Sequence, residues 1–183
     1  MLPIYYLEIK DGDTFKFMSF VDSPATEVEW AKFSSLERPV RLAVQDEQIV
    51  SGVVLVPDQK IYRKDDDGRE YYVAFNKETI KKFAELVIKK SASVDLNHSE
   101  NPVEGVHLIE IFIKDSSKGI NPNYVDVPDG SLIASYKVDN IDVWNKIKSG
   151  DLNGFSIDAV FNYSEEDQLR DIYKMLKKLK NIK

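Results

Sequence analysis

The stretch "DLNGFSIDAVF", residues 151–161, governs the reading of the whole chain. A Gly-Asp helix stop at 150–151 is followed by Asn153-Gly154, a turn signal. Then Phe155, Ile157, Ala159, Val160 and Phe161 surround one small hydroxyl, Ser156, in a run with the composition of a β-strand. Ser156 is either a nucleophile or a serine in a strand, and taken alone such a hydroxyl is more often structural. Asp158 stands where the second glycine of a G-x-S-x-G elbow would be, so an α/β-hydrolase is not indicated.

Working outward, the same strand signature recurs at 2–10, 14–21, 50–57, 71–75, 93–98, 105–114 and 132–138. Each is short, rich in β-branched and aromatic residues, and bounded by Gly, Pro, Asp or Asn. The two runs at 93–98 and 105–114, separated by polar turn residues, predict a hairpin around "SENPVEG". Between the strands lie few helices. "NKETIKKFAELVIKK" is capped by Asn76 and repeats Ile80, Phe83, Ala84 and Val87 at helical spacing. "DNIDVWNKIKSG" reads as a shorter helix with Ile141, Trp144 and Ile147 inward and Gly150 as its stop. "SEEDQLRDIYKMLKKLKNIK" reads as a third, with Ser164 as cap, Glu165, Glu166 and Asp167 at its positive end and an apolar stripe through Leu169 and Leu176. "KDDDGRE" (64–70) is a charged turn between strands; its aspartates lack the alternating ligand pattern of a calcium loop. The segment 115–130 is a polar loop.

Composition narrows the chemistry. The chain has 183 residues, 43% hydrophobic and 31% charged, which fits one globular body with a sizeable core. No apolar run approaches the roughly 18 residues of a membrane span, and the N-terminus has no signal-peptide pattern, so no membrane partner is expected. The absence of cysteine removes disulfides, thiolate metal sites and a cysteine nucleophile. A net charge of −6 argues against general nucleic-acid binding. Zinc ligands are poorly supplied and no phosphate-binding glycine loop is present, so no cofactor or metal is expected.

A serine nucleophile needs a base, and the chain offers two histidines, His98 and His107. His98 lies in "DLNHSENP", where a strand meets a polar turn, the kind of place where catalytic groups meet substrate. His107 lies inside the next strand.

Four blocks together resemble the XkdF type of phage serine protease, a branch of the prohead proteases of capsid maturation. They are "FVDSPATEVEWAKFS" (20–34), "SGVVLVPDQKIYRKDDDGREYYVAFNKETIKK" (51–82), "VDLNHSENPVEGVHLIEIFIKD" (94–115) and "GSLIASYKVDNIDVWNKIKSGDLNGFSIDAVF" (130–161). They occur in family order and cover most of residues 15–161. The resemblance implies an α+β fold, mainly an antiparallel β-barrel-like sheet flanked by helices and similar to herpesvirus assemblin. It implies a protease-like domain over 1–163 followed by the amphipathic helix 164–183. It implies a serine endopeptidase with Ser156 as nucleophile and His98 as general base, their side chains within about 4 Å. The implied substrates are phage scaffolding and major capsid proteins and the protease itself, and the implied place is the immature capsid in the host cytoplasm. The last helix reads first as a cover packed on its own domain, and by the same resemblance a homodimerisation arm is the alternative.

The third catalytic member stays open between two acids. Asp158 fits the family's acidic position after Ser-Ile and shares Ser156's face of the strand, but the two Cβ atoms, about 7 Å apart, leave little room for an imidazole between them. Glu110, an acid inside the apolar run "LIEIF", is the rival, since buried carboxylates need partners. Arg63 in "IYRKD" either holds substrate or pairs with a local acid, and pairing is favoured. The alternative to an enzyme is a non-catalytic capsid assembly or scaffolding module on the same fold.

Overall fold

Period-two alternation and helix capping account for most of the secondary structure. The computed structural model describes residues 2–10, 15–23, 48–64, 67–90, 93–159, 162–163 and 167. In chain order the elements are β1 (Ile4–Glu8), β2 (Phe15–Val21), β3 (Ile49–Leu55), β4 (Ile61–Lys64), β5 (Glu70–Ala74), α1 (Lys77–Lys90), β6 (Ser93–Leu96), β7 (Val106–Ile113), β8 (Leu132–Val138), α2 (Ile141–Ser149), β9 (Gly154–Ala159) and β10 (Asn162–Tyr163). The fold is mixed α+β, dominated by strands.

The strands form three hydrogen-bonded groups, ordered β10-β1-β5-β4, β6-β2-β9 and β3-β8-β7. Among the described residues these ladders do not close into a barrel. Nor are they uniformly antiparallel: β1 runs parallel to β5, and β2 runs parallel to β6. Both N-terminal strands insert between later ones, a long-range arrangement that local alternation does not encode.

The expected hairpin of 93–98 with 105–114 does not form. β6 takes β2 as its partner and β7 takes β8. The chain does fold back briefly, since Val103 N–H donates to Val94 O at 2.8 Å. Gly105, at φ +74°, then turns it away, and the Gly105 carbonyl accepts from Asp139 and Asn140 N–H at the entrance to α2. The left-handed backbone suits glycine, and a Cβ there would lie 3.1 Å from Asn140 N.

One core serves all three groups. Met18 and Phe20 of β2, Val50 and Val54 of β3, Val73 of β5, Val94 of β6, Leu132 and Tyr136 of β8, and Phe155 of β9 pack with both helices. Helix α1 presents Ile80, Phe83, Ala84 and Val87, as its spacing requires, and Asn76 Oδ1 accepts from Thr79 N–H at 2.8 Å as its cap. In α2 the inward residues are Val143, Trp144 and Ile147. Ile141 is 57% exposed, contrary to the sequence expectation, because it occupies the first helical position beside the Asn140 cap. Gly150, at φ +82°, ends the helix.

Strand β4 pairs with β5 from Ile61↔Val73 to Lys64↔Glu70, so the charged segment after it does connect two strands. The polar loop after β7 contains a short 3-10 turn at Ser116–Lys118, and the buried Lys114 ammonium anchors it by donating to Val127 O at 2.6 Å. Of the expected third helix only Asp167 is described. Its carboxylate accepts from Tyr6 N–H at 2.7 Å; the stripe through Leu169 and Leu176 lies outside the described residues.

Candidate active site

The small sheet β6-β2-β9 has two unlike faces. On the core side, Phe20 pairs with Leu96 and Phe155, and Met18 pairs with Val94 and Ile157. Phe20, Phe155 and Tyr136 form an aromatic triangle with ring centroids 5.4 to 5.5 Å apart. Each such pair is worth about 0.5–1.5 kcal/mol beyond its buried area, so this side of the sheet is held firmly. Burial also pushes the Tyr136 phenol far up from its ordinary pKa.

The opposite side carries a polar row. Ser19 is the register partner of Asp95 on one neighbour and of Ser156 on the other, and registered partners project to the same face. Ser19 and Asp95 are fully buried, whereas Ser156 is half-buried.

His98 arrives over this row from the end of β6. Asn97 N–H continues the parallel ladder by donating to Phe20 O at 3.0 Å. The chain then turns sharply, with Asn97, His98 and Glu100 all in left-handed conformation, at φ +48°, +56° and +57°. Asn and His tolerate this region better than most residues, yet it still costs about 1–2 kcal/mol per residue. Neighbouring bonds offset that cost. Asn97 Oδ1 accepts from Asp22 N–H at 3.2 Å, Asp95 Oδ2 from Glu100 N–H at 2.8 Å, and Leu96 O from Ser99 N–H at 3.0 Å.

The resulting geometry is a chain of three side chains. His98 Nε2 lies 3.1 Å from Ser156 Oγ, and His98 Nδ1 lies 3.0 Å from Ser19 Oγ. When Nε2 accepts the Ser156 proton, Nδ1 carries the ring hydrogen and donates to Ser19. That is the tautomer in which an imidazole can act as base toward a serine. The ring is exposed, so an incoming group can reach Nε2 and Ser156 together.

Ser19 was not singled out by the sequence. The only local signal is one hydroxyl within "FKFMSFV", and nothing nearby in sequence says that β6 and β9 flank it. The two acids considered for the position beside Nδ1 lie as follows. Asp158 is in β9, opposite Phe17 in register; its side chain lies outside the described residues. Glu110 is in the other sheet, where its Oε2 accepts from Ser135 Oγ at 2.8 Å, and Ser135 Oγ in turn lies 2.8 Å from Ser51 Oγ. Tyr124 reaches the same cluster, and its phenol is raised by burial first and by the Glu110 charge second. No bond joins Glu110 to His98 among the described residues. His107 is exposed on β7, 3.9 Å from Asp139. Arg63 donates to the Tyr62 carbonyl at 2.9 Å, and the neighbouring acids Asp65 and Asp66, candidates for the pairing favoured from sequence, lie outside the described residues.

Among the described residues, no group of three or more His, Cys, Asp or Glu side chains converges as metal ligands would, and no helix is long and apolar enough to cross a membrane.

Residues 39–165 match the family model described as "Putative phage serine protease XkdF". The chain belongs to this family. It is also 29% identical over 160 residues to the "Phage-like element PBSX protein XkdF" of Bacillus subtilis (strain 168), an alignment covering 82% of this chain and 54% of that protein. The chain thus spans about half the length of the curated relative it matches. No solved structure gives a significant match. The XkdF match takes in β3 through β10, and so contains both His98 and Ser156, while Ser19 lies upstream of it.

Proposed function

We propose that this chain is a serine endopeptidase of phage head maturation, with Ser156 as nucleophile and His98 as general base. The observation that carries the reading is the 3.1 Å contact between His98 Nε2 and Ser156 Oγ, on a ring whose other nitrogen is tethered to Ser19. Ser156 Oγ attacks the scissile carbonyl as its proton passes to Nε2, and the imidazolium returns that proton to the leaving amine. Water, deprotonated by the same nitrogen, then releases the acyl group and restores Ser156. Ser19 accepts from Nδ1–H and fixes the ring's orientation.

The family description supports phage serine protease chemistry. The specific substrates, scaffolding and major capsid protein together with the chain itself, and the setting within the immature capsid in the host cytoplasm, follow from the resemblance to prohead proteases. So does homodimerisation through the last helix.

The test is reaction with a fluorophosphonate, which needs a base-activated serine but no known cleavage site. Wild type should be phosphonylated at Ser156, while Ser156→Ala and His98→Ala should not react, and wild type alone should cleave co-expressed scaffold. An unreactive wild type that still binds capsid protein would replace this reading with a non-catalytic assembly module.

A further inference from the structure

Asp95 is fully buried, and its carboxylate is half used. Oδ2 accepts from Glu100 N–H, whereas Oδ1 is buried with no hydrogen-bond partner among the described residues. A buried carboxylate oxygen without a donor is costly, so its retention calls for a cause. The adjacent strand supplies one. Ser19, the register partner of Asp95, accepts from His98 Nδ1–H in the base-competent tautomer, and its own hydroxyl hydrogen then needs an acceptor. One unmatched acceptor and one unmatched donor thus sit on paired residues of neighbouring strands, about 4.8 Å apart in backbone spacing. The two groups are not in direct hydrogen-bond contact, and one water spans such a separation between a hydroxyl and a carboxylate.

We infer that Asp95 is a positioning residue for His98, acting through Ser19. With the Ser19 hydroxyl committed to Asp95, Ser19 Oγ faces His98 only as an acceptor. Nδ1 must therefore carry the ring hydrogen, and Nε2 is left free to take the proton of Ser156. Asp95 also ties down the turn that carries His98, through Glu100 N–H, so one carboxylate sets both the place of the ring and its tautomer.

The inference rests on the protease reading for its purpose, but its test does not. Asp95→Asn keeps shape and removes charge. The Glu100 N–H still requires an oxygen, so the new amide NH2 faces Ser19 and donates to it. Ser19 then turns its hydroxyl toward Nδ1, and the ring hydrogen moves to Nε2, the wrong tautomer for a base. Ring 15N resonances of His98 should show the Nδ1–H form in wild type and the Nε2–H form in Asp95→Asn. Phosphonylation of Ser156 should slow on the order of a hundredfold. A folded Asp95→Asn with the wild-type tautomer and a rate within about twofold would overturn the inference. Should that variant not fold, the Asp95 13Cγ resonance is compared in wild type and Ser19→Ala, which leaves Asp95 intact. A shift is expected on loss of the hydroxyl donor, and identical resonances would overturn the inference. A wild type that shows the coupling but never reacts with fluorophosphonate would instead refute the protease reading alone.

Discussion

Ser19 Oγ lies 3.0 Å from Nδ1 of His98, at the ring nitrogen that does not face Ser156. A neutral hydroxyl thus occupies the position where an acid was expected. A hydroxyl orients an imidazole but lends it no charge, so it stabilises the imidazolium less than a carboxylate in direct contact would.

Ser19→Ala should therefore lower Ser156 phosphonylation by roughly tenfold to a hundredfold rather than abolish it. The stability cost should be about 1–3 kcal/mol, since the buried hydroxyl is lost to both His98 and Asp95. Reaction rates and urea melts of the two proteins measure both quantities. A rate equal to wild type would remove Ser19 from the machinery.

Ser156→Ala should eliminate reactivity while changing stability by no more than about 1 kcal/mol, because the side chain is half-buried and loses one bond. Mass spectrometry of the fluorophosphonate adduct checks the first statement and thermal unfolding the second. An adduct on another serine in the variant would assign the nucleophile elsewhere.

Asn97→Ala should act on the turn rather than on the chemistry. It removes the acceptor for Asp22 N–H and places a residue less tolerant of left-handed backbone at φ +48°. A loss of about 1–2 kcal/mol is expected, with slower phosphonylation as His98 becomes less well fixed. Asn97→Gly, which relieves the backbone cost but not the lost bond, should recover part of the stability and less of the rate.

Much of the fold was legible because it depends on local physics. The Asn76 cap, the Gly150 stop and the buried stripe of α1 follow from spacing alone. What was illegible depends on distant partners. The four residues of "IYRK" carry two cations and show no strand signature until Glu70–Ala74 is set beside them. The insertion of β2 between β6 and β9 leaves no mark within Phe15–Val21, so Ser19 looks like any strand serine. His98 and Ser156 stood out because histidine is scarce and family motifs flank both. Their neighbour stood out only when the registers were known.

Acid should probe the loop after β7. The Asp115 carboxyl is lowered from 3.8 to about 2, first by its bond to the Lys118 ammonium and then by the Ser117 hydroxyl, and Asp115 in turn raises Lys118. Because the folded value is the lower one, this contribution is complete above about pH 4 and fades as pH falls through 2. A 13C titration should find a midpoint near 2 in wild type, and Lys118→Ala should move it up toward 3.8. A midpoint unchanged in Lys118→Ala would show that the ammonium is not the cause.

The order of strands in the small sheet bears on when His98 and Ser156 can meet during synthesis. His98 and Ser156 are 58 residues apart, one just beyond the end of β6 and the other in β9, strands that are not hydrogen-bonded to each other; β2, made long before either, is the wedge that sets their spacing. A nascent chain still lacking β9 has a histidine without a serine. One whose β2 has not yet docked has both, with no template to hold them in reach. On the proposed protease reading, cleavage is withheld until early, middle and late segments have all assembled, and the finished sheet serves as its own safety catch.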